Sequence, residues 1–439
     1  MKLDNRRTIL VGLAFMAICA FWHVYDGIIP LILKGTFDMN DTLSGFIMAL
    51  DNILALFLLP LFGSLSDRTK TRIGRRMPYI LCGTAGACIF TVLLPVAAHA
   101  KNLVLFMVAL GLVLLSMATF RSPAVALMPD VTVKPLRSRA NAIINLTGTV
   151  GGMIMLGAIA LLVPKGENPN YLPLFLFLVV FMLICVAVLF FTVREPKLYE
   201  KMLADSAALG ELEETGKEEP VPTPMPRDVR RSFLLVLISI FLWFMGYNAI
   251  TTAFSRYATV YWGLEGGSFA YTLILAQAAA IVAYIPAGFA ATKFGRKKTI
   301  LAGVAMLAVA FGACVFFKTF HWAILFFFIL AGIGWAAINV NSYPMVVEMS
   351  RGSDIGKYTG YYYTTSMAAQ VLTPVLSGAV LEYGHLLLGS ADANAGYVFL
   401  FPYGALFVAL SFVTMLFVRH GDAKPLPAQD KLAVFAGDD

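Results

Sequence analysis

The sequence predicts an all-α membrane protein of twelve transmembrane helices arranged as two pseudo-symmetric six-helix bundles. Three observations carry that expectation. Of the 439 residues, 59% are apolar and 13% charged, with a mean hydropathy of +0.78, whereas an ordinary globular domain is about 45–50% apolar and about 25% charged. Such a composition cannot clothe a water-soluble surface, which excludes a soluble enzyme, a disordered chain and a nucleic-acid-binding protein, and leaves the net charge of +7 to be read from where it sits. The second observation is the number of apolar stretches long enough to span a bilayer. The third is a loop pattern that recurs at half the chain length.

A helix needs about 20 mostly apolar residues to cross roughly 30 Å of hydrocarbon. By that ruler, spans fall at 8–33, 42–65, 78–98, 103–129, 139–163 and 171–193, then at 232–262, 267–292, 298–317, 320–349, 356–384 and 395–418. The chain divides accordingly into a bundle (1–193), a linker (194–231), a second bundle (232–418) and a tail (419–439). The linker carries Glu211, Glu213, Glu214, Glu218 and Glu219, followed by Pro220, Pro222, Pro224 and Pro226. That composition reads as a solvated, partly extended connection. The opening MKLDNRRTILVGLAF has the charge of a signal peptide, but its apolar run continues to Leu33 without a small-residue cleavage site, so it reads as the first span. Cys19, Cys82, Cys88, Cys185 and Cys314 all lie in spans without CxxC spacing. They read as core residues, and neither a disulfide framework, a metal nor a cofactor is expected.

Basic residues test the span count independently, because cytoplasmic loops retain them. With both termini inside, 27 of the 33 Lys and Arg residues fall in inner segments. The outer loops keep only Lys34, Lys101, Lys165 and Lys318, and Arg121 and Arg256 lie within spans. A wrong number of spans would scramble this asymmetry.

PLFGSLSDRTKTRIGRR (60–76), between spans two and three, is echoed by PAGFAATKFGRKK (286–298), between spans eight and nine; Gly63 and Gly288 lie 225 residues apart. SPAVALMPD in span four and SYPMVVEMS in span ten form a weaker pair. Two related halves are the mark of a rocking transporter, which holds its substrate near the bilayer midplane.

The first of these loops resembles the signature of the major facilitator superfamily, G-x-x-x-D-R-x-G-R-R, through Gly63, Asp67, Arg68, Gly74, Arg75 and Arg76, with an insertion before the second glycine. The longer form DRTKTRIGRRMPYI is similar to the glycoside-pentoside-hexuronide cation symporters and, among them, to the sucrose-proton branch. FRSPAVALMPDVT, RANAIINLTGTVGG and KYTGYYYTTSMAAQVLTPVLSG resemble bacterial members of that branch. The resemblance implies the major facilitator fold and a gate at this loop, where Asp67 pairs with Arg75 or Arg76 and the network takes in Asp130 or Glu348 at opposing helix ends. As surface pairs these would contribute only about 0–1 kcal/mol each, which suits a latch that opens every cycle. The alternative is that the basic cluster is only a topology signal.

Ionisable residues within the membrane are functional candidates because hydrocarbon penalises them. These are Asp26 (span one), Asp51 (span two), Arg121 (span four) and Arg256 (span seven). In the superfamily, helices one, four, seven and ten line the central cavity, and Asp26, Arg121, Arg256 and the pair Asn339 and Asn341 fall on them. Asp51, Asp26 and Arg121 are the candidates for proton coupling; the competing reading is a static ion pair between helices. Arg121 cannot discharge and requires an anionic partner, whereas Arg256 has the alternative of snorkelling outward. A sugar asks for polar groups beside aromatic faces, for which Trp22, Tyr25, Asp26, Arg121, Tyr247, Asn248, Arg256, Asn339, Asn341, Tyr343, Gln277 and Gln370 are candidates, with Trp243 and Trp335 adding aromatic area. His23 reads equally as a packed histidine or a proton carrier. Gly148 and Gly152 stand at GxxxG spacing, as a helix contact answered by Ala276, Ala279 and Ala280 of span eight.

In comparison with the melibiose-permease type of sodium site, the two span-two carboxylates fall at Ala55 and Leu59, which cannot ligate a cation that needs oxygen. The span-four sugar aspartate of that type becomes Arg121, and the arginine of plant sucrose symporters falls at Val125. The expected function is a proton-coupled symporter of a sugar or glycoside, such as maltose or sucrose, working by alternating access. It would be a monomer in the bacterial cytoplasmic (inner) membrane, with no nucleic-acid partner. The alternatives are an exporter or facilitator of another small polar solute, or a receptor or scaffold without turnover. Topology is directly testable: Cys placed at Lys101 or Lys165 reacts with an impermeant reagent from outside, and Cys at Lys70 or Lys297 does not. Outside labelling of both inner sites rejects the span count.

Overall fold

The structure is a computed structural model that describes residues 3–133, 136–166, 169–208, 226–349 and 355–421. Its first seven helices are α1 (Asn5–Gly35), α2 (Asp41–Arg68), α3 (Met77–His99), α4 (Leu103–Asp130), α5 (Arg137–Leu162), α6 (Leu172–Thr192) and α7 (Glu195–Ala208). There follow α8 (Arg227–Val260), α9 (Ala270–Phe294), α10 (Arg296–Cys314), α11 (Ala323–Glu348), α12 (Ile355–Leu387), a 3-10 turn (Ala393–Phe399) and α13 (Leu400–Leu416), with no strand among the described residues. Twelve segments are long and apolar enough to cross a membrane, and only α7 is not among them. The expected all-α, twelve-span fold is therefore the one observed.

Element boundaries follow local chemistry. Asn40 and Asn102 start α2 and α4 by accepting the N–H of Leu43 (2.9 Å) and Leu105 (3.0 Å) through their side chains, which satisfies donors that a helix start leaves open. Two expectations are corrected. The reading of 194–231 as partly extended fails for its ends, because Glu195–Ala208 is helical and α8 already begins at Arg227. Both stretches are made of good helix formers, and Glu195, Tyr199, Met202 and Ser206 recur at helical spacing with Glu195, Met202 and Ser206 buried. The acidic and proline-rich centre of the linker lies outside the described residues, as does the tail beyond Gly421. The last span opens as a 3-10 turn before α13.

Internal prolines sit in α1, α2, α3, α4, α9, α11 and α12. A soluble helix would lose roughly 3 kcal/mol to each, but membrane helices tolerate them where neighbouring groups meet the freed backbone. Ser122 also ties α4 to α2, donating to the carbonyl of Leu59, next to Pro60 (2.7 Å). Pro60 and Pro286 occupy corresponding places in the two halves of the repeat. The helices that carry them are the least covered of each set of six, with 28% and 17% of their apolar windows buried.

The chain forms two compact units, Met1–Glu218 with Thr252–Ile274, and Glu219–Thr251 with Leu275–Asp439. In the first unit α1 packs on α5 through small residues. A Cβ on Gly148 would meet the sulfur of Cys19 (2.9 Å), and one on Gly152 would meet the His23 ring. The GxxxG pair thus serves α1. The alanines of span eight serve a different neighbour in the second unit, where the carbonyl of Ala276 lies against Gly332 of α11. His23 is held by this packing, its Nδ1 2.8 Å from the carbonyl oxygen of Cys19.

Candidate functional site

Three groups of side chains in the first unit, and one in the second, carry chemistry. At the end of the first unit that bears the basic loops, Arg76 is buried and its guanidinium binds Asp67, Ser66 and the carbonyl of Gly63 (3.3 Å), while its Nε donates to Asp130 (2.7 Å). Arg75 grips Asp130 in the fork geometry of two parallel contacts, Nε to Oδ2 at 3.0 Å and Nη2 to Oδ1 at 2.5 Å. Burial works against the charge on Arg75, but the Asp130 carboxylate outweighs it and holds the guanidinium pKa above its ordinary value. Its contribution to stability is complete below that ordinary value and is lost only above it, so Arg75 brings no pH dependence near neutrality. Arg68 is exposed, and the side chain of Glu348 lies outside the described residues.

The keystone of this network is Glu195, which the sequence reading missed. α3 starts without a side-chain cap of its own. Glu195, at the first turn of α7 and 2% exposed, accepts the backbone N–H groups of Arg75 (2.7 Å), Arg76 (2.9 Å) and Met77 (2.9 Å). A carboxylate is favoured at a helix N-terminus by both the open donors and the dipole. Gly74 lets it approach: its φ is +120°, and a Cβ there would lie on the Glu195 carboxylate. One turn further along α7, the ring of Tyr199 lies under the Arg75 guanidinium at 4.4 Å. The expectation of weak surface pairs is therefore corrected, since α7 covers the loop and takes Arg76 and Asp130 largely out of water.

A second group stands at the opposite end of the same unit. Arg256 is 2% exposed, and its Nη1 meets Asp41 Oδ1 at 2.7 Å, while Lys34 reaches Asp41 Oδ2 at 3.3 Å. Outward snorkelling of Arg256 is thus excluded. Asp41, the first residue of α2, also went unrecognised, because an acid at a helix start reads as a dipole partner rather than as the counter-ion of a buried arginine. Lys34, Tyr171, Arg256 and Glu265 border a cavity of about 480 Å³ beside the pair.

The third group lies on α1, α2 and α4. Trp22 meets Tyr25 edge-on (5.3 Å between centroids), and the Arg121 guanidinium lies 5.7 Å from the Trp22 ring. Asp51 accepts from the backbone and side-chain nitrogens of Asn52 (2.6 and 2.7 Å). Asp51 acts electrostatically on Asp26 and feels the charge of Arg121, so these three intramembrane charges form one set. Trp22 Nε1 and the Tyr25 hydroxyl are buried donors without a hydrogen-bond partner among the described residues. Such donors are costly unless something meets them.

In the second unit, Tyr247 stacks on Trp335 with centroids 3.7 Å apart and planes 4° from parallel, and Phe244 closes on Trp335 edge-on. Asn248 and Gln277 are half-buried. Asn339 is exposed on α11 and hydrogen-bonds Tyr284, a residue the sequence reading did not select. Asn341 is buried and turned back on its own helix, donating to the Ala337 carbonyl (2.8 Å), and Gln370 does the same towards Ser366 (3.3 Å). Tyr343 packs with Tyr362, whose hydroxyl is 3.0 Å from Ser342 Oγ.

Twelve spans, a half-chain repeat and charges confined to a few sites define a multi-pass membrane transporter. The chain matches the Major Facilitator Superfamily over residues 10–282 and again over 236–436, and it belongs to that family. It is a transporter and not an enzyme. Solved structures share the fold at low identity. One described as giving structural insights into substrate recognition in proton dependent oligopeptide transporters is 16% identical, with a TM-score of 0.70 over 94% of this chain and 98% of that one. The nucleoside transporter NupG is 14% identical, with a TM-score of 0.69 over 94% and 100% of the two chains, respectively. A D-xylose-proton symporter is 13% identical, with a TM-score of 0.68 over 96% and 99%. No curated protein sequence matches the chain.

Two stability predictions follow from the ion networks. Glu195→Ala leaves three backbone donors uncapped at a buried helix start, so it lowers stability by about 3 kcal/mol or more, read as a fall in the detergent unfolding midpoint. An unchanged midpoint removes Glu195 from its structural role. Asp41→Asn strands a buried guanidinium and costs about 3–5 kcal/mol, most of which returns in the double variant Asp41→Leu with Arg256→Leu. A double variant as unstable as the single one contradicts the pairing.

Proposed function

We propose that this chain is a proton-coupled symporter of a sugar or glycoside, working by alternating access, within the glycoside-pentoside-hexuronide branch of its superfamily. The observation that carries the reading is the set on α1, α2 and α4, in which two carboxylates and one arginine stand together beside an aromatic pair with unpartnered donors. A coupling site needs a group that accepts and releases a proton. A carboxylate moved between the field of Arg121 and a drier surrounding can do so, because a nearby cation favours its ionised form and burial its neutral form. Trp22 and Tyr25 offer a ring face and donors to a hydroxylated ligand.

Among ionisable residues, Asp51 is our proton carrier, and Asp26 beside Tyr25 the contact for sugar hydroxyls. Glycosides such as maltose or sucrose are the first substrates to test. Ala55 and Leu59, where a sodium-using relative would place carboxylates, favour protons over sodium. The abundance of Lys and Arg in one set of loops supports a topology with both termini in the cytoplasm, and a bacterial inner membrane goes with the proposed branch.

Uptake of labelled sugars into proteoliposomes tests the whole reading. An inward proton gradient drives accumulation, a protonophore abolishes it, and sodium at constant pH and membrane potential changes little. Asp51→Asn removes uphill uptake but keeps counterflow exchange, whereas Asp26→Asn weakens binding in both assays. Uphill uptake by Asp51→Asn defeats the carrier assignment. A panel in which no sugar moves while another small polar solute does turns the reading to a facilitator or exporter.

A further inference from the structure

A further feature lies on the surface of the second unit. α9, α10 and α11 enclose a cavity of about 470 Å³. Its walls include Ala283, Pro286 and Ala287 of α9, Met306 of α10 and Ile333 of α11, with Lys298 at one end. Small side chains on α9 leave the hollow open. Along that helix it runs from Ala283 to Phe294, which is about 16 Å at 1.5 Å per residue and so close to half of a hydrocarbon core of roughly 30 Å. The hollow therefore has the depth of one leaflet.

We propose that this groove holds an acyl chain of an anionic phospholipid whose head group rests on Lys298. Val282, Ile285 and Phe289 project beside the groove on α9 with 74%, 70% and 57% of their surface exposed, an apolar surround complementary to hydrocarbon. Its basic end carries Lys293, Arg296, Lys297 and Lys298. Lys297 donates to the carbonyl of Leu416 (2.8 Å), and Thr299 to that of Gly295 (2.9 Å). Lys298 is exposed and lines the groove. An ammonium at the mouth of an apolar trench one leaflet deep is complementary to an anion that carries a hydrocarbon tail. The excess of basic residues assigns this end to the cytoplasmic leaflet, where anionic lipids concentrate.

Native mass spectrometry of the full-length protein in mild detergent, with phosphatidylglycerol, phosphatidylcholine or glycerol 3-phosphate added, tests the assignment. Phosphatidylglycerol is retained as a one-to-one adduct in preference to phosphatidylcholine by about fivefold, the scale of one lysine at an anionic surface. Lys298→Gln abolishes the preference and Lys298→Arg restores it. Ala302→Phe, placed on the groove wall, reduces retention of both lipids. Equal retention of the two lipids by the native protein, a preference that survives Lys298→Gln, or glycerol 3-phosphate binding as tightly as phosphatidylglycerol overturns the proposal.

Discussion

A charge removed from water has to be met by another group, and this constraint organises the first unit from end to end. At the basic end a carboxylate with no cationic partner among the described residues does the joining. Glu195 accepts three consecutive backbone N–H groups at the start of α3, and so fixes the loop whose arginines then hold Asp67 and Asp130. Without that cap the loop would have to close its own helix, and it has no side chain placed to do so. At the other end Asp41 stands between Arg256 and Lys34. Each buried guanidinium has a carboxylate, as desolvation demands.

The middle of the unit is different. Arg121 has Asp51 within electrostatic reach but rests on an aromatic face rather than in a fork with a carboxylate. Locked pairs at the ends and loosely matched charges between them are a sensible division for a transporter. The ends resist water and set conformation, whereas a group that must change partners cannot be bound as tightly as Asp130. The proposed coupling role of Asp51 and Asp26 rests on this contrast.

The second unit uses less charge and more aromatic surface. Its helix contacts are made by glycine and alanine, as between Ala276 and Gly332, where dispersion rather than the hydrophobic effect drives association in a bilayer. The same small residues that allow close packing in one register leave a trench in another. The lipid-binding proposal and the helix packing thus have a common origin in the alanine-rich face of α9.

Sequence by itself determined the span count, the position of the basic loops and the half-chain repeat, because apolar length and positive charge are local properties that the bilayer reads directly. It also determined which residue types stand within the membrane, including Asp26, Asp51, Arg121 and Arg256. It could not determine their partners. Asp41 looks like an ordinary helix-start acid, and Glu195 lies in a stretch whose composition resembles a linker. Only the tertiary structure brought Glu195 to residues nearly 120 positions away, placed Arg256 on Asp41 and turned Asn341 back on its own helix. The physical reason is range. Helix formation depends on neighbours a few residues apart, whereas the pairing of buried charges is decided by which helices happen to lie side by side.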